Sequence, residues 1–326
     1  MRYVITGASG HIGNNLIRTI NALEPEAKII ALVRRKIERE LSGTNCEQVQ
    51  GDLLDESFLS ENIREGDVVV HLACFIDLAG KSWAECYKVN YLLTKTLTDL
   101  CEKKRVKKFI FAGSVDGIYR TGKESVISEP EDYYPEKLAG NYGKTKAMAM
   151  AYLKHRIAEN PAFNAAMVLP SAVIGVNDYK PSAVGKVLLG VLNGKAELGI
   201  PGGYNFVDVA DVCNAIFTLF KTDRRGEYIL SGHDVTVKEL YMHVNRIMGW
   251  KKRPIIFPTF VAKLASPFVK MLNKETIRAL NDPHNYSFEK AARELGYQPT
   301  PIEKTFENTV KWLDGHKKEL LTAKKS

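Results

Sequence analysis

No apolar run in the 326-residue chain approaches the roughly 18 residues needed to cross a bilayer. The amino terminus goes straight into Tyr3-Val4-Ile5, with no signal-like apolar core or cleavage site. The cytoplasm is therefore the expected compartment, without stable membrane insertion. Cysteine is sparse: Cys46, Cys74, Cys86, Cys101 and Cys213 are scattered, odd in number and free of any CxxC pair. That argues against a disulfide framework and a thiolate zinc site. The seven histidines form no ligand-spaced pair, so no metal is expected. The net charge of +8 lies partly in small clusters, Arg34-Arg35-Lys36, Lys103 to Lys108, Lys251 to Arg253 and Lys324-Lys325. No recognised nucleic-acid module accompanies them, so the basic balance points to anionic small ligands and not to nucleic acid. A hydrophobic content of 45% with 26% charged residues fits a globular protein of about two domains.

What the chain does have declares itself early. Thr6 to Gly13 (TGASGHIG) follows an apolar strand and leads into Ile12, Leu16, Ile17 and Ile20 at helical spacing. Gly7, Gly10 and Gly13 suit a tight turn, close backbone approach to a pyrophosphate, and close helix-on-strand packing. The helix beginning there points free N–H groups and its positive dipole end at phosphate. Lys28 to Val33 reads as a second parallel strand. The adenine ribose of a dinucleotide is expected at its end. Arg34 and Arg35, with no carboxylate before Glu38, suit a 2′-phosphate there, so NADP(H) is favoured over NAD(H). Val49 to Leu53 ends another strand, where Asp52 could accept from the adenine amino group. Asp67 to Ala73 is a nearly continuous apolar strand of the doubly buried kind, and His71 at its end is read as cofactor-side packing. Lys108 to Ala112 is the next strand and runs into Gly113-Ser114.

Strand ends in an open α/β sheet deliver side chains to the ligand crevice, and Ser114 arrives that way. Downstream, Asn141 to Met148 opens a helix on which Tyr142 and Lys146, four apart, share a face. A phenol ordinarily titrates near pH ~10. A lysine cation one turn away, beside the positive charge of an oxidised nicotinamide, is expected to favour the phenolate. A tyrosine poised in this way can hand a proton to a carbonyl under reduction or take one from an alcohol. Ser114 would meanwhile hydrogen-bond the substrate oxygen.

With these residues in place the chain resembles the extended short-chain dehydrogenase/reductase family over most of its length. The resemblance rests on TGASGHIG, GDL at 51–53, HLA at 71–73, VN at 89–90, GS at 113–114 and YGKTK at 142–146. It continues through LPSAVIG at 169–175, FVDVADV at 206–212 and SFEKAARELGY at 287–297. The pattern is most similar to the dihydroflavonol-reductase and 3β-hydroxysteroid-dehydrogenase branch. It implies an α/β fold, a Rossmann-type doubly wound parallel sheet with a smaller, interleaved C-terminal substrate-binding cap. It also implies a catalytic set of Ser114, Tyr142 and Lys146. Cofactor contacts are expected from Gly7, Ser9, Gly10, His11, Ile12, Gly13, Arg34, Arg35, Asp52, Leu53, Leu72, Ala73, Asn90, Pro170, Ser171 and Val173. Phe75, Asp77, Asp116 and Tyr119 would face substrate.

Departures from the pattern narrow the activity. Nucleotide-sugar epimerases carry an arginine-aspartate pair where this chain has Tyr204 and Asn205. The 4,6-dehydratases follow the catalytic hydroxyl with Asp-Glu, where Val115-Asp116 stands here. The leading expectation is an NADP(H)-dependent oxidoreductase reducing a ketone or aldehyde of a small, partly apolar molecule. A nucleotide-sugar epimerase or dehydratase with tightly held NAD(P) is the alternative, and a non-catalytic dinucleotide sensor a third.

The second half is read as follows. Residues 1–175 form the dinucleotide domain, with 204–222 returning to it; 176–203 and 223–326 form the cap. Val168 to Ile174 is read as one core strand. Pro258 to Leu272 is read as a cap helix over an apolar pocket and not as a membrane-surface helix, since Pro267 interrupts it. The helices around Asn90 to Cys101 and Tyr142 to Ile157 are candidates for a dimer face, leaving monomer or homodimer open.

Overall fold

The structure is a computed structural model that describes residues 1–77, 82–122, 124–259, 277, 280–282 and 284–322. Strands β1 (Arg2–Thr6), β2 (Lys28–Val33), β3 (Glu47–Gln50), β4 (Val68–His71), β5 (Lys108–Ala112) and β6 (Ala165–Pro170) are spaced by helices. They are followed by β7 (Ala172–Ile174), β8 (Leu198–Gly199), β9 (Gly203–Asp208), β10 (Gly226–Leu230), β11 (His233–Thr236) and β12 (Ile255–Ile256). A seven-stranded parallel sheet has the order β3-β2-β1-β4-β5-β6-β10. Connections run outward from β1 in both directions, so the order reverses beside β1 and opens a crevice at the carboxyl ends of the strands.

The apolar runs form strands because both faces of this sheet are covered. All four residues of β4 and all six of β6 are buried. Alternate residues feed two cores. Tyr3, Ile5, Val68, Val70 and Ile110 pack under the helices His11–Leu23 and Val209–Phe220. Val4, Val69, Phe109, Phe111 and Met167 pack under Leu93–Lys103 and Asn141–Glu159. Fully burying each such side chain contributes about 1.5–3 kcal/mol. Leu97, Leu100, Ala147, Met150 and Leu153 lie in that second core, so these inner faces cover the sheet.

Two boundaries differ from the sequence reading. Val168 to Ile174 is two strands, not one: β6 ends at Pro170, and the Ser171 N–H donates to the Leu230 carbonyl at 3.2 Å. Beyond that break β7 joins a second sheet, parallel to β9, which pairs antiparallel with β11. Of the returning 204–222 segment, therefore, the strand belongs to the small sheet, and the helix Val209–Phe220 packs on the main one. Gly226–Leu230, expected in the cap, is instead the seventh strand of the main sheet, in parallel register with β6. Its apolar Tyr228 and Leu230 find cover from Ala291, Leu295 and Tyr297, so the chain re-enters the large core twice. A separate core of Ile174, Leu188, Phe206, Val244, Phe306 and Val310 holds the smaller lobe together. Most of the 258–272 segment and the last four residues lie outside the described residues.

Gly7 carries the junction of β1 with the following helix. Its φ is +71°, and a Cβ there would stand 2.5 Å from the Ala73 nitrogen and 2.6 Å from the Leu72 carbonyl carbon. Gly43 has a similar φ of +69° but open space around it. Gly43→Ala should therefore cost about 1 kcal/mol, the left-handed backbone alone. Gly7→Ala adds backbone collision and should cost roughly 3–4 kcal/mol. Urea denaturation of the two variants reads the difference; equal losses would reject the close contact.

Candidate active site

The glycine turn builds a cradle from backbone alone. Gly7 lies against the end of β4, and a Cβ on Gly13 would stand 2.3 Å from the Gly7 carbonyl oxygen, so the helix begins flush on the turn. Gly10 differs: it is exposed, caps the helix without a side chain, and a Cβ there would meet only the Gly7 oxygen at 3.1 Å. The first amides of the helix, at His11, Ile12 and Gly13, thus face an open approach, as a pyrophosphate requires. Ser9, His11 and Ile12 are half-buried around it. Arg34 and Arg35 are exposed at the end of β2, and neither is paired with a described carboxylate. Asp52 is exposed after β3, one of its oxygens accepting from the Leu54 N–H at 3.0 Å; Leu53 is half-buried beside it. Leu72 and Ala73 form the wall that Gly7 touches. Pro170 closes β6, Val173 is half-buried in β7, and Ser171 is buried with its Oγ lacking a described partner. A buried hydroxyl left unsatisfied is costly, so it suits a polar ligand group. The residues present fit a nicotinamide dinucleotide lying across the strand ends.

A second close contact brings Ser114 and Tyr142 together. Ser114 follows β5 and caps a short 3-10 turn, Val115–Gly117, its Oγ accepting from the Asp116 N–H at 3.2 Å. The helix Asn141–Glu159 lies directly on this turn, because a Cβ at Gly143 would stand 2.6 Å from the Asp116 carbonyl oxygen. Bare backbone at Gly143 lets the turn seat, and the Ser114 hydroxyl then lies within hydrogen-bonding influence of the Tyr142 phenol. One turn along, Lys146 is 2% exposed; its Nζ donates to the Ala112 carbonyl at 2.6 Å and lies 4.7 Å from the centre of the Phe111 ring.

The phenolate expected of Tyr142 draws on Lys146 and on the charge of an oxidised nicotinamide; the protein's own groups act as follows. Burial pushes the phenol well above its ordinary value, reinforced by Cys74 and Asp116, with Ser114 pulling the other way. Burial likewise lowers the Lys146 ammonium. Desolvation disfavours both charges here, and the lysine cation is directed at the end of β5. Burial therefore favours the protonated phenol at Tyr142.

Several residues expected at the cofactor or substrate also brace the site. Asn90 is 1% exposed, within a π-helical stretch, Tyr87–Leu92. Its Oδ1 accepts from the Phe75 N–H at 2.7 Å, and its Nδ2 donates to the Phe75 carbonyl at 2.9 Å and to Thr145 Oγ1 at 3.1 Å. With these groups engaged, Asn90 ties the loop after β4 to the helix that carries Tyr142. Asp77 does the same lower down, accepting from the Ser82 N–H at 2.6 Å and the Asn141 amide at 3.0 Å. Tyr119 pairs edge-on with Tyr134, both beneath the Lys137 ammonium. Phe75 is exposed, as is Cys74, a thiol close enough to Tyr142 and Lys146 to influence both.

The far wall joins Asp116, a residue expected at substrate, to Arg120, Tyr286 and Asp282, which carry no sequence signal. Asp116 is open at the mouth of the cleft, yet crowding by its surroundings pushes its carboxyl above the ordinary range. Arg120 donates to the Tyr286 hydroxyl and lies 3.5 Å from Asp282. Asp116 also acts on Tyr204, Tyr286 and Tyr142, so this cluster adjoins the Tyr142 phenol.

His71 lies behind the cleft. It is fully buried, stacks on Phe111 and bridges Thr6 and Thr94, with Nδ1 at 2.7 Å and Nε2 at 3.0 Å. The Thr94 hydroxyl already donates to the Asn90 carbonyl, which assigns the proton of His71 to Nε2. Burial, assisted by Lys146, lowers its pKa to about 3.

With the geometry in view, comparison with known proteins identifies the class. The NAD dependent epimerase/dehydratase family matches over residues 3–231, and the chain belongs to it, among the extended short-chain dehydrogenase/reductases. Enzymes of this family bind a nicotinamide dinucleotide. Among relatives, the sterol demethylase protein B of Methylococcus capsulatus is 25% identical over 96% of this chain and 98% of its own. The dihydroflavonol 4-reductase of Gerbera hybrida is 25% identical over 84% and 79%. In fold, the crystal structure of gox2253 superposes with a TM-score of 0.81 at 23% identity, covering 96% of this chain and 98% of that one. The UDP-glucose 4-epimerase of Thermotoga maritima gives 0.76 at 21% identity, covering 97% and 99%.

A histidine held at about 3 against an ordinary 6.5 stabilises the fold fully above pH 6.5. As pH falls from 6.5 towards 3 the unfolded chain binds a proton that the folded one refuses. Stability should then drop by at most about 1.4 kcal/mol per pH unit. His71→Gln should flatten that slope between about pH 6.5 and 5, a window above ordinary carboxylate titration. Urea midpoints that fall in parallel for both proteins would contradict a buried neutral imidazole.

Proposed function

We propose that the protein is an NADP(H)-dependent oxidoreductase that reduces a ketone or aldehyde of a small, partly apolar molecule to the alcohol. The observation carrying this reading is the convergence of the Ser114 hydroxyl and the protonated Tyr142 phenol, with Lys146 one helical turn behind, at the sheet edge that holds the glycine cradle. A nicotinamide bound there supplies the reducing equivalent. The protein's part is to orient the carbonyl oxygen and to deliver a proton. Ser114 and Tyr142 together hold that oxygen, and the Tyr142 Oη proton passes to it as negative charge develops. Lys146, fixed on the Ala112 carbonyl, offers a buried cation that stabilises the phenolate left behind. A phenol raised by burial is in the correct form for reduction across the neutral range, whereas oxidation of the alcohol would need the scarce phenolate.

Arg34 and Arg35 support NADP(H), since exposed guanidinium groups at the end of β2 meet a 2′-phosphate where an acidic residue would favour the 2′-hydroxyl. Exposed Phe75 and Ile76 at the lip of the cleft support an apolar part of the substrate, in keeping with relatives named for sterols and a dihydroflavonol. The polar wall of Asp116, Tyr204, Arg120 and Tyr286 supports hydroxyl or carboxylate groups elsewhere on it. The nucleotide-sugar alternative is weaker. Tyr204, where those enzymes carry the arginine, offers no guanidinium for a diphosphate, and Asn205, in place of the aspartate, is committed to Asp234 at 2.7 Å and to the Gly232 N–H at 2.8 Å.

Tyr142→Phe should lower kcat for carbonyl reduction by about 10²–10⁴ and leave the NADPH dissociation constant within about twofold. In the wild type, reduction should be flat from about pH 6 to 9 while alcohol oxidation rises over the same range, the phenol titrating above 10. Retained turnover in the variant would reject Tyr142 as the acid. The double variant Arg34→Ala, Arg35→Ala should weaken NADPH by about 10–100-fold and NADH by much less. Equal weakening of both cofactors in a fluorescence titration would reject the 2′-phosphate reading.

A further inference from the structure

We propose that Lys180 is a phosphate ligand of the cofactor, carried from the second half of the chain to the adenosine end of the site, where it exchanges Glu40 for the 2′-phosphate. The inference rests on the NADP(H) reading above and adds a residue that neither the glycine turn nor the arginines indicate.

Lys180 Nζ lies 3.0 Å from Ser9 Oγ, across 171 positions of sequence, and 3.4 Å from a carboxylate oxygen of Glu40. Ser9 belongs to the turn after β1 and Glu40 to the connection after β2. A cation touching both therefore stands between the ends of these two strands, over which the adenosine ribose of a dinucleotide lies. The segment carrying Lys180 is held down along its length. The Val176 carbonyl accepts from His11 at 2.9 Å and from Asn15 at 3.1 Å. The Asn177 carbonyl accepts from Asn14 at 3.1 Å, and the Tyr179 carbonyl accepts from Arg39 at 2.8 Å. Its position over the turn is thus set by backbone contacts, while its side chain, 50% exposed, is free to swing.

Glu40 explains why the cation waits there. Its side chain is 9% exposed, and it meets Lys180 and, at 3.6 Å, Arg39. When Lys180 turns to an incoming phosphate, Arg39 stays on Glu40, so the buried carboxylate is not left bare. A 2′-phosphate is doubly charged and competes for the ammonium; a 2′-hydroxyl is neutral and does not. The exchange therefore discriminates between the two nicotinamide cofactors, and the carboxylate tempers the preference by repelling the phosphate.

Calorimetric binding of 2′,5′-ADP and 5′-AMP, fragments that probe only this end, tests the assignment without turnover. The wild type should bind 2′,5′-ADP more tightly than 5′-AMP. Lys180→Met should weaken 2′,5′-ADP about tenfold and leave 5′-AMP unchanged, and Lys180→Arg should retain most of the affinity. Glu40→Gln should widen the preference for 2′,5′-ADP. If the wild type prefers 2′,5′-ADP but Lys180→Met weakens both fragments alike, or neither, Lys180 is not the 2′-phosphate ligand although the NADP(H) reading stands. A wild type that prefers 5′-AMP overturns the NADP(H) reading itself.

Discussion

Bare backbone laid against bare backbone is the constraint on which this site depends. At Gly7 the turn after β1 touches the Leu72–Ala73 wall, and at Gly143 the catalytic helix touches the carbonyl of Asp116; in each place a single methyl group would collide. The first contact brings the helix amides to the crevice, and the second brings Tyr142 to Ser114. Interiors packed at crystal-like density do not absorb an extra methyl group without displacing what surrounds it. Displacement here would move the Tyr142 phenol relative to the Ser114 hydroxyl.

The same tight packing keeps the floor of the cleft dry, and dryness governs its charge states. His71 is neutral, Lys146 is depressed and Tyr142 is raised, with burial the largest cause in each case. A dry pocket that holds a phenol protonated is suited to giving a proton away. It also makes the cation of Lys146 valuable only when the phenolate forms, which is the moment at which stabilisation lowers a barrier. Asn90 and Asp77 use polar atoms on the loop after β4 and on the start of the Asn141–Glu159 helix, fixing the walls.

Much of this was legible in the sequence, for definite reasons. β2 and β5 begin and end where their apolar runs do, because strands covered on both faces read as uninterrupted hydrophobic segments. Gly7, Ser114, Tyr142 and Lys146 were visible because they sit at strand ends and at a fixed helical spacing. What was not legible depends on pairing partners. Nothing in Val168 to Ile174 tells that the chain changes sheets at Ser171, since both pieces are equally apolar and only the Leu230 carbonyl marks the break. Gly226–Leu230 looked like cap because its place in the sheet is set by β6, about 60 residues earlier. The bracing contacts of Asn90 were not legible either, since its motif is recognisable while Phe75 and Thr145 stand 15 and 55 positions away. The Arg120–Tyr286 and Lys180–Ser9 contacts span 166 and 171 positions, beyond the reach of any local pattern.

A crystal structure with NADP⁺ bound tests the central claim most directly. The account predicts the pyrophosphate on the amides that follow Gly10 and the nicotinamide between Ser171 and Tyr142, its reactive face turned toward the phenol oxygen and the Ser114 hydroxyl. Density that places the nicotinamide away from Tyr142, or a dinucleotide that does not cross the glycine turn, would contradict it.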